Sequence, residues 1–464
     1  MAKYVAFLIA IGLFGSLYVL SENGLYWSDY NWWFAGAQTL RNMTVMSPLA
    51  PFLAVWNTFN WKDNLLYALP ILPPLLAFGA SRLAYELAVL LAYAAPYAVS
   101  IAVLACACTG ISRKIFWPVL IAALFPAVWA PALRGLPDSA GAFLLTLALL
   151  IFSSKEQSAR RALNCLAVGV LLAFAVLIRR HFLLAIPAFF IAAATQYFLQ
   201  RRLEPRADAI GAEPGLRSAV RQMLLVAAGF AAIICTLGLG FIQQLSLHNY
   251  AILNSSYRVS IFEEIVYFLT LYGVPVWIMA TAGWVLVFRS RRYVGQTIGF
   301  VFPFSVLMML IWLIGGRQIS VQYTFYFNSF ILPGTIMLVA ELENRLTVRR
   351  NAIAGAAITL YLLLNFYLCI TPESVAQRFG INTTIFGMIH LKRQTANLPG
   401  MLFSAGYPPN RRDDLDQVRA LIDLLRKESV QEKDHILVVG EGDSLSADGL
   451  RNAEKMFYGS GARL

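Results

Sequence analysis

Long apolar runs, separated by short polar and mostly basic clusters, fill the first four fifths of the chain. A helix that crosses a bilayer needs about 20 predominantly apolar residues. Eleven stretches meet that requirement: 4–20, 82–109, 115–132, 138–153, 163–178, 182–199, 223–242, 264–288, 295–314, 325–341 and 352–370. Between the first two lies a long loop, 21–81. Within it Tyr30, Trp33, Phe34, Ala37 and Leu40 recur at spacings of three and four, which predicts an amphipathic helix. Its Trp and Tyr content suits a membrane interface. Residues 64–78 are apolar but interrupted by Pro70, Pro73 and Pro74, and read as an interfacial or re-entrant piece. If that piece crossed instead, the count would be twelve and the C-terminus would change sides.

The pattern changes after residue 370. Leu415, Val418, Leu421, Ile422 and Leu425 mark an amphipathic helix, His435 to Gly440 reads as a buried strand, and 446–457 as a further helix. The chain therefore divides into a membrane domain, 1–370, and an extramembrane α/β segment, 371–464. The expected fold class is an all-α polytopic membrane protein carrying a small C-terminal α/β piece. Gly440 and Gly442 follow the strand, but their spacing falls short of a dinucleotide-binding fingerprint.

Composition agrees. Apolar residues make up 59% and charged residues 13%, with a mean hydropathy of +0.63. An ordinary soluble domain carries roughly 25% charged residues, so this chain cannot cover a globular surface with polar groups, and disorder is excluded on the same ground. The net charge of +12 is dispersed among loops and forms no nucleic-acid-binding face. All five cysteines lie inside apolar runs, which argues against a disulfide framework.

Those loops orient the chain. With the N-terminus inside, the inner loops hold sixteen Lys and Arg residues, and the outer connections up to residue 370 hold eight. The positive-inside rule favours this arrangement. Eleven spans then place the C-terminus outside. In a bacterial cell the expected location is the inner membrane, with the C-terminus periplasmic.

Acidic residues are scarce in the membrane domain, and several charged residues gather at its outer ends. Asp29 follows the first span and Asp138 opens the fourth; Arg134, Arg179, Arg180 and Arg317 close or follow spans on that side. Ionisable groups near hydrocarbon are costly and tend to serve function. Outer arginines run against the orientation bias, and an anion in the outer leaflet would balance them, because arginine binds phosphate through a planar fork. A plainer reading also fits each residue. Ser28 and Asp29 suit a helix start, Arg134 is spaced to pair with Asp138 four residues on, and Arg179 and Arg180 suit snorkelling to headgroups. The four histidines show no ligand spacing, and no DxD, HExxH or CxxC motif occurs.

The order of these features resembles the GT-C superfamily of polyprenyl-phosphate-sugar-dependent glycosyltransferases, in particular its protein O-mannosyltransferase-like and aminoarabinose-transferase-like branch. The residues carrying the resemblance are Trp27-Ser-Asp29-Tyr-Asn-Trp-Trp-Phe in the first outer loop, the proline-rich stretch Leu69 to Arg82, and Arg134-Gly-Leu-Pro-Asp138. They continue with Arg179-Arg180-His181-Phe182 ahead of Pro187, and Gln322-Tyr323 through Leu332-Pro333. Two departures stand out: Tyr30 follows Asp29 where relatives have a second acid, and His181 replaces a small residue. The resemblance implies a polyprenyl-phosphate-linked sugar as donor and a glycan, lipid or protein acceptor. It implies Asp29 as the catalytic carboxylate, with Arg134, Asp138, Arg179, Arg180, Arg317 and Tyr323 binding substrate. No cofactor is assigned, because a single carboxylate is a poor site for a hard cation. Beside membrane lipids, no nucleic acid is expected as a partner. The alternatives are a polytopic secondary transporter, which would need paired broken helices, and a lipid-binding assembly protein, which would need no acid at residue 29.

Overall fold

The computed structural model describes residues 2–23, 28–61, 64–109, 115–154, 158–203, 216–247, 258–289, 296–371, 388–390, 395–397, 399–404, 406–432 and 447–458. Among them, eight helices are long and apolar enough to cross a membrane, and two bent helix pairs raise that number to ten. The helix Asp138–Ser153 is apolar but shorter. Together these account for the eleven stretches read from the sequence, and the chain is a polytopic α-helical membrane protein.

The first helix, α1 (Ala2–Leu20), is followed by the long loop, which folds into α2 (Ser28–Met46), α3 (Ala50–Thr58), a 3-10 turn (Leu65–Ala68) and α4 (Leu72–Phe78). The amphipathic spacing in α2 is realised: Tyr30, Trp33, Ala37 and Leu40 are buried. The proline-rich piece forms no helix long enough to cross on its own. Asn64 caps its 3-10 turn by accepting from the Leu66 amide at 3.0 Å, and α4 is only 7 residues long. Pro73 and Pro74 sit in its first turn, where a missing amide hydrogen is tolerated.

Ser81 then caps α5 (Arg82–Val89), which continues through a π turn into α6 (Ala95–Thr109). Next come α7 (Phe116–Ala123) and α8 (Pro126–Leu133), bent by 59°. Pro126 forces Phe125 into extended backbone at the break. The bundle continues with α9 (Asp138–Ser153), α10 (Ser158–Ile178), α11 (Ala185–Leu203), α12 (Leu216–Leu237) and α13 (Leu239–Leu247). The predicted span 264–288 divides into α14 (Ile261–Tyr272) and α15 (Val274–Arg289), which meet at 89°. The elbow is Gly273, at φ 81°, a region an L side chain rarely adopts. The last membrane helices are α16 (Gln296–Ile311), α17 (Phe325–Arg345) and α18 (Val348–Ile370).

Helix α10 packs on α9 and α12, α11 on α16, and α15 on α17. At the α15–α17 crossing the backbones come very close: a Cβ at Gly283 would lie 1.8 Å from the carbonyl oxygen of Gly334. Backbones approach this closely in membrane bundles only where both residues are small. Gly283→Leu is expected to separate the two helices and lower the melting temperature in detergent by more than Ala282→Leu (the preceding position, half-buried), as scanning fluorimetry will read.

In the C-terminal segment, α19 (Leu415–Glu432) and α20 (Ala447–Tyr458) pack through Val418, Ile422, Leu450 and Ala453. Both helices lie where the periodicity predicted them. The strand expected at 435–440, with Gly440 and Gly442, lies outside the described residues. The strands that are described, Met388–His390 and Thr395–Asn397, pair antiparallel.

Residues 399–404 and 406–412, between α18 and α19, form a belt across one end of the bundle. Ser404 Oγ donates to the Tyr272 carbonyl at 2.9 Å, beside the Gly273 elbow, and the Asn365 side chain brackets Ser404 at 2.7 and 2.9 Å. The Tyr407 amide donates to the Cys369 carbonyl at 2.7 Å. The belt ends against α1: Tyr18 Oη donates to the Tyr407 carbonyl at 2.9 Å, and Arg411 Nε to the Ser21 carbonyl at 2.8 Å. Asn23 exchanges side-chain bonds of 3.2 and 2.8 Å with the Arg412 backbone.

Candidate active site

The end of the bundle crossed by the belt also carries the charged residues noted in the sequence. They form three adjacent groups.

Asp138 occupies the centre of the first. It opens α9 and is fully buried. A carboxylate at a helix N-terminus is favoured by the free amides and the macrodipole, yet burial requires a counter-charge. Arg179 supplies it, donating from Nε to Asp138 Oδ1 at 2.8 Å. The same guanidinium donates to Gln322 Oε1 at 3.2 Å and lies 4.7 Å from the centroid of the Trp33 ring. Trp33 is one turn beyond Asp29 on α2, so Arg179 ties the helix carrying Asp29 to the start of α9. His181 Nε2 stands 3.3 Å from the same oxygen, Asp138 Oδ1.

Asp29 is exposed in the first turn of α2. Its charge is close enough to act on both Asp138 and Tyr323. Arg180 follows Arg179 and opens the 3-10 turn Arg180–Leu184. Tyr323 donates to Gln318 Oε1 at 2.8 Å, and its ring lies 5.7 Å from His181 and 4.4 Å from Trp312. An exposed carboxylate, a buried carboxylate–arginine pair, a second arginine and an aromatic wall therefore share one site.

Arg134 belongs to the second group. Its neighbour in sequence, Asp138, is not its partner. Gly135, at φ 67°, turns the chain between them, and Arg134 instead donates from Nη1 to Glu22 Oε1 at 3.1 Å. Arg82 is paired with Glu22 as well, and its Nε lies 3.0 Å from Glu86. The Asn410 amide of the belt donates to Glu22 Oε1 at 2.7 Å, and Arg134 Nη2 donates to the Pro408 carbonyl at 2.9 Å. Burial pushes the Glu22 carboxyl above its usual range, while Arg82, the Asn410 amide and Arg134 pull it back.

The third group contains Arg317. This residue sits in left-handed backbone at φ 52° after a π turn, and donates from Nε to the Val259 carbonyl at 3.1 Å. Its charge acts on Glu264, a fully buried acid of α14. Arg317 thus faces α14.

Of the residues singled out in the sequence, Asp29, Asp138, Arg179, Arg180 and Tyr323 come together; Arg134 and Arg317 stand in flanking clusters. Trp33, His181 and Gln322 join the site, and nothing in the sequence marked Glu22. Among the described residues, no group of three or more His, Cys, Asp or Glu side chains is arranged to hold a metal ion.

Comparison with known proteins finds no matching family model and no matching curated protein. The backbone is similar to crystal structures of ArnT from Cupriavidus metallidurans, one bound to undecaprenyl phosphate and one in the apo state. In each case the identity is 15% and the TM-score 0.47, over 80% of this chain. The aligned part spans 66% of the ArnT chain, just under two thirds of its length.

Proposed function

We propose that this chain is an integral-membrane glycosyltransferase that moves a sugar from a polyprenyl-phosphate donor to an acceptor hydroxyl on the outer face. One observation carries the reading: an exposed carboxylate, Asp29, stands beside a buried Asp138–Arg179 pair at one end of an apolar bundle. That is where a lipid-borne phosphate and a water-borne acceptor can meet. In the proposed reaction Asp29 accepts the hydroxyl proton as the acceptor oxygen attacks the anomeric carbon. The bond from that carbon to the phosphate oxygen breaks, and polyprenyl phosphate leaves with the electron pair. Arg180 and Arg179 stabilise the phosphate charge through preorganised donors. Asp138 keeps Arg179 in place, and the Tyr323 and Trp312 rings stand beside the group. The orientation that fits this chemistry is the one favoured by the loop charges, with the N-terminus inside and the belt outside. In a bacterial source the membrane is the inner one.

Lipid extracts test the proposal. Cells lacking the protein are expected to accumulate a polyprenyl-phosphate-linked sugar, detected by mass spectrometry, and re-expression should remove it. Unchanged lipid profiles would argue against a lipid-linked donor.

A further inference from the structure

Glu22 is the only acid described at the end of α1, and three parts of the fold converge on it. Arg82 begins α5, Arg134 ends α8, and the Asn410 amide belongs to the belt, 388 residues away in sequence. Helix α2 begins six residues beyond Glu22 in sequence. Its first turn has a defined seat. The Tyr30 ring lies edge-on to Tyr85, centroids 6.0 Å apart, and Tyr85 Oη donates to the Gly135 carbonyl at 2.8 Å. The Tyr30 ring also covers Gly135 so closely that a Cβ there would lie 2.3 Å from it. Tyr85 is on the helix that Arg82 opens, and Gly135 directly follows Arg134. The two segments that seat Tyr30 are therefore the two that Glu22 draws together, and Tyr30 is the residue next to Asp29.

We infer that Glu22 is a positioning residue: by joining Arg82, Arg134 and the belt, it fixes the seat of the first turn of α2 and thereby the location of Asp29. It touches no reacting atom, and its effect passes through Arg82, Arg134 and Tyr30. The importance of that location for turnover rests on the proposed glycosyl transfer; the mechanical link does not. The charges facing Glu22 are Arg82 from α5 and Arg134 from the turn after α8, with Glu86 behind Arg82. In Glu22→Gln both arginines lose their shared counter-charge, and the seat loses its tie.

Hydrogen–deuterium exchange on the full chain in detergent micelles reads this directly. Glu22→Gln is expected to raise exchange in peptides covering 406–412 and 28–36 by roughly tenfold, as follows from losing a hydrogen bond to a charged group. Peptides at the opposite end of the bundle, around 338–352, should exchange as in the parent. Glu22→Asp is the milder variant, to be used if Glu22→Gln does not fold, because it keeps the charge and shortens its reach to Arg82, Arg134 and the Asn410 amide. It should give the same pattern at smaller amplitude. In a donor lipid extract, Glu22→Gln should lower kcat at least tenfold with undecaprenyl phosphate affinity unchanged. Parent-like exchange at 28–36 in both variants, or a uniform rise through every helix, would overturn the inference. If the parent itself transfers no sugar, the glycosyltransferase reading fails, while the exchange pattern still decides the role of Glu22.

Discussion

Asp29→Asn is expected to reduce sugar transfer by about 10²–10⁴, the range for loss of a general base. Neither stability nor donor binding should change much. The residue is exposed in the first turn of α2, where an acid interacting with the macrodipole contributes about 0.3–1 kcal/mol. Asparagine keeps the shape and the hydrogen-bonding capacity but cannot take a proton from the acceptor. A structural acid and a catalytic one thus separate in a single variant. Transfer rates and melting temperature are to be measured together. Near-parent transfer with normal melting would remove Asp29 from the chemistry and leave the proposed function without its central residue.

Arg179→Ala should have the largest effect on stability. Asp138 is fully buried, and it pairs with Arg179 and stands against His181. Removing one member of a buried charge pair costs about 3–5 kcal/mol, because the other charge is left in a medium that cannot solvate it. The Trp33 face and Gln322 lose their contact at the same time, so α2 and α9 lose a shared anchor. Arg179→Ala is therefore expected to show a clear fall in melting temperature together with weaker undecaprenyl phosphate binding. The double variant Arg179→Ala, Asp138→Ala should recover part of the stability and none of the binding. A double variant no more stable than Arg179→Ala would mean that the pair does not carry the cost.

The apolar runs located the spans because lipid imposes one requirement on every crossing segment: about 20 residues without uncompensated charge. Period and spacing likewise placed α2 and α19. The Arg134–Asp138 pairing was a local inference that the structure replaces. A spacing of four brings side chains together only along a continuous helix, and Gly135 breaks the helix between them. The same limit applies to 264–288, where Gly273 divides one apolar window into two helices at a right angle. Glu22 had no local signal at all. Its partners are 60, 112 and 388 residues distant, and no periodicity reports contacts of that kind. His181 was visible as an unusual residue, but its contact with Asp138 depends on how α10 ends against α9.

The belt also sets an order of events during synthesis. The end of α1 leaves the ribosome early, and residues 406–412 follow only after all the membrane helices described above. Through that interval Glu22 waits for its Asn410 partner, and Tyr18, Ser21 and Asn23 wait for theirs. A nascent chain that has reached residue 370 holds every one of those helices, and Glu22 can already pair with Arg82 and Arg134, yet the bonds from the belt to α1 are still missing. Pairing of Glu22 with the two arginines and closure of the belt are therefore separable steps, and the second has to wait for residues 406–412.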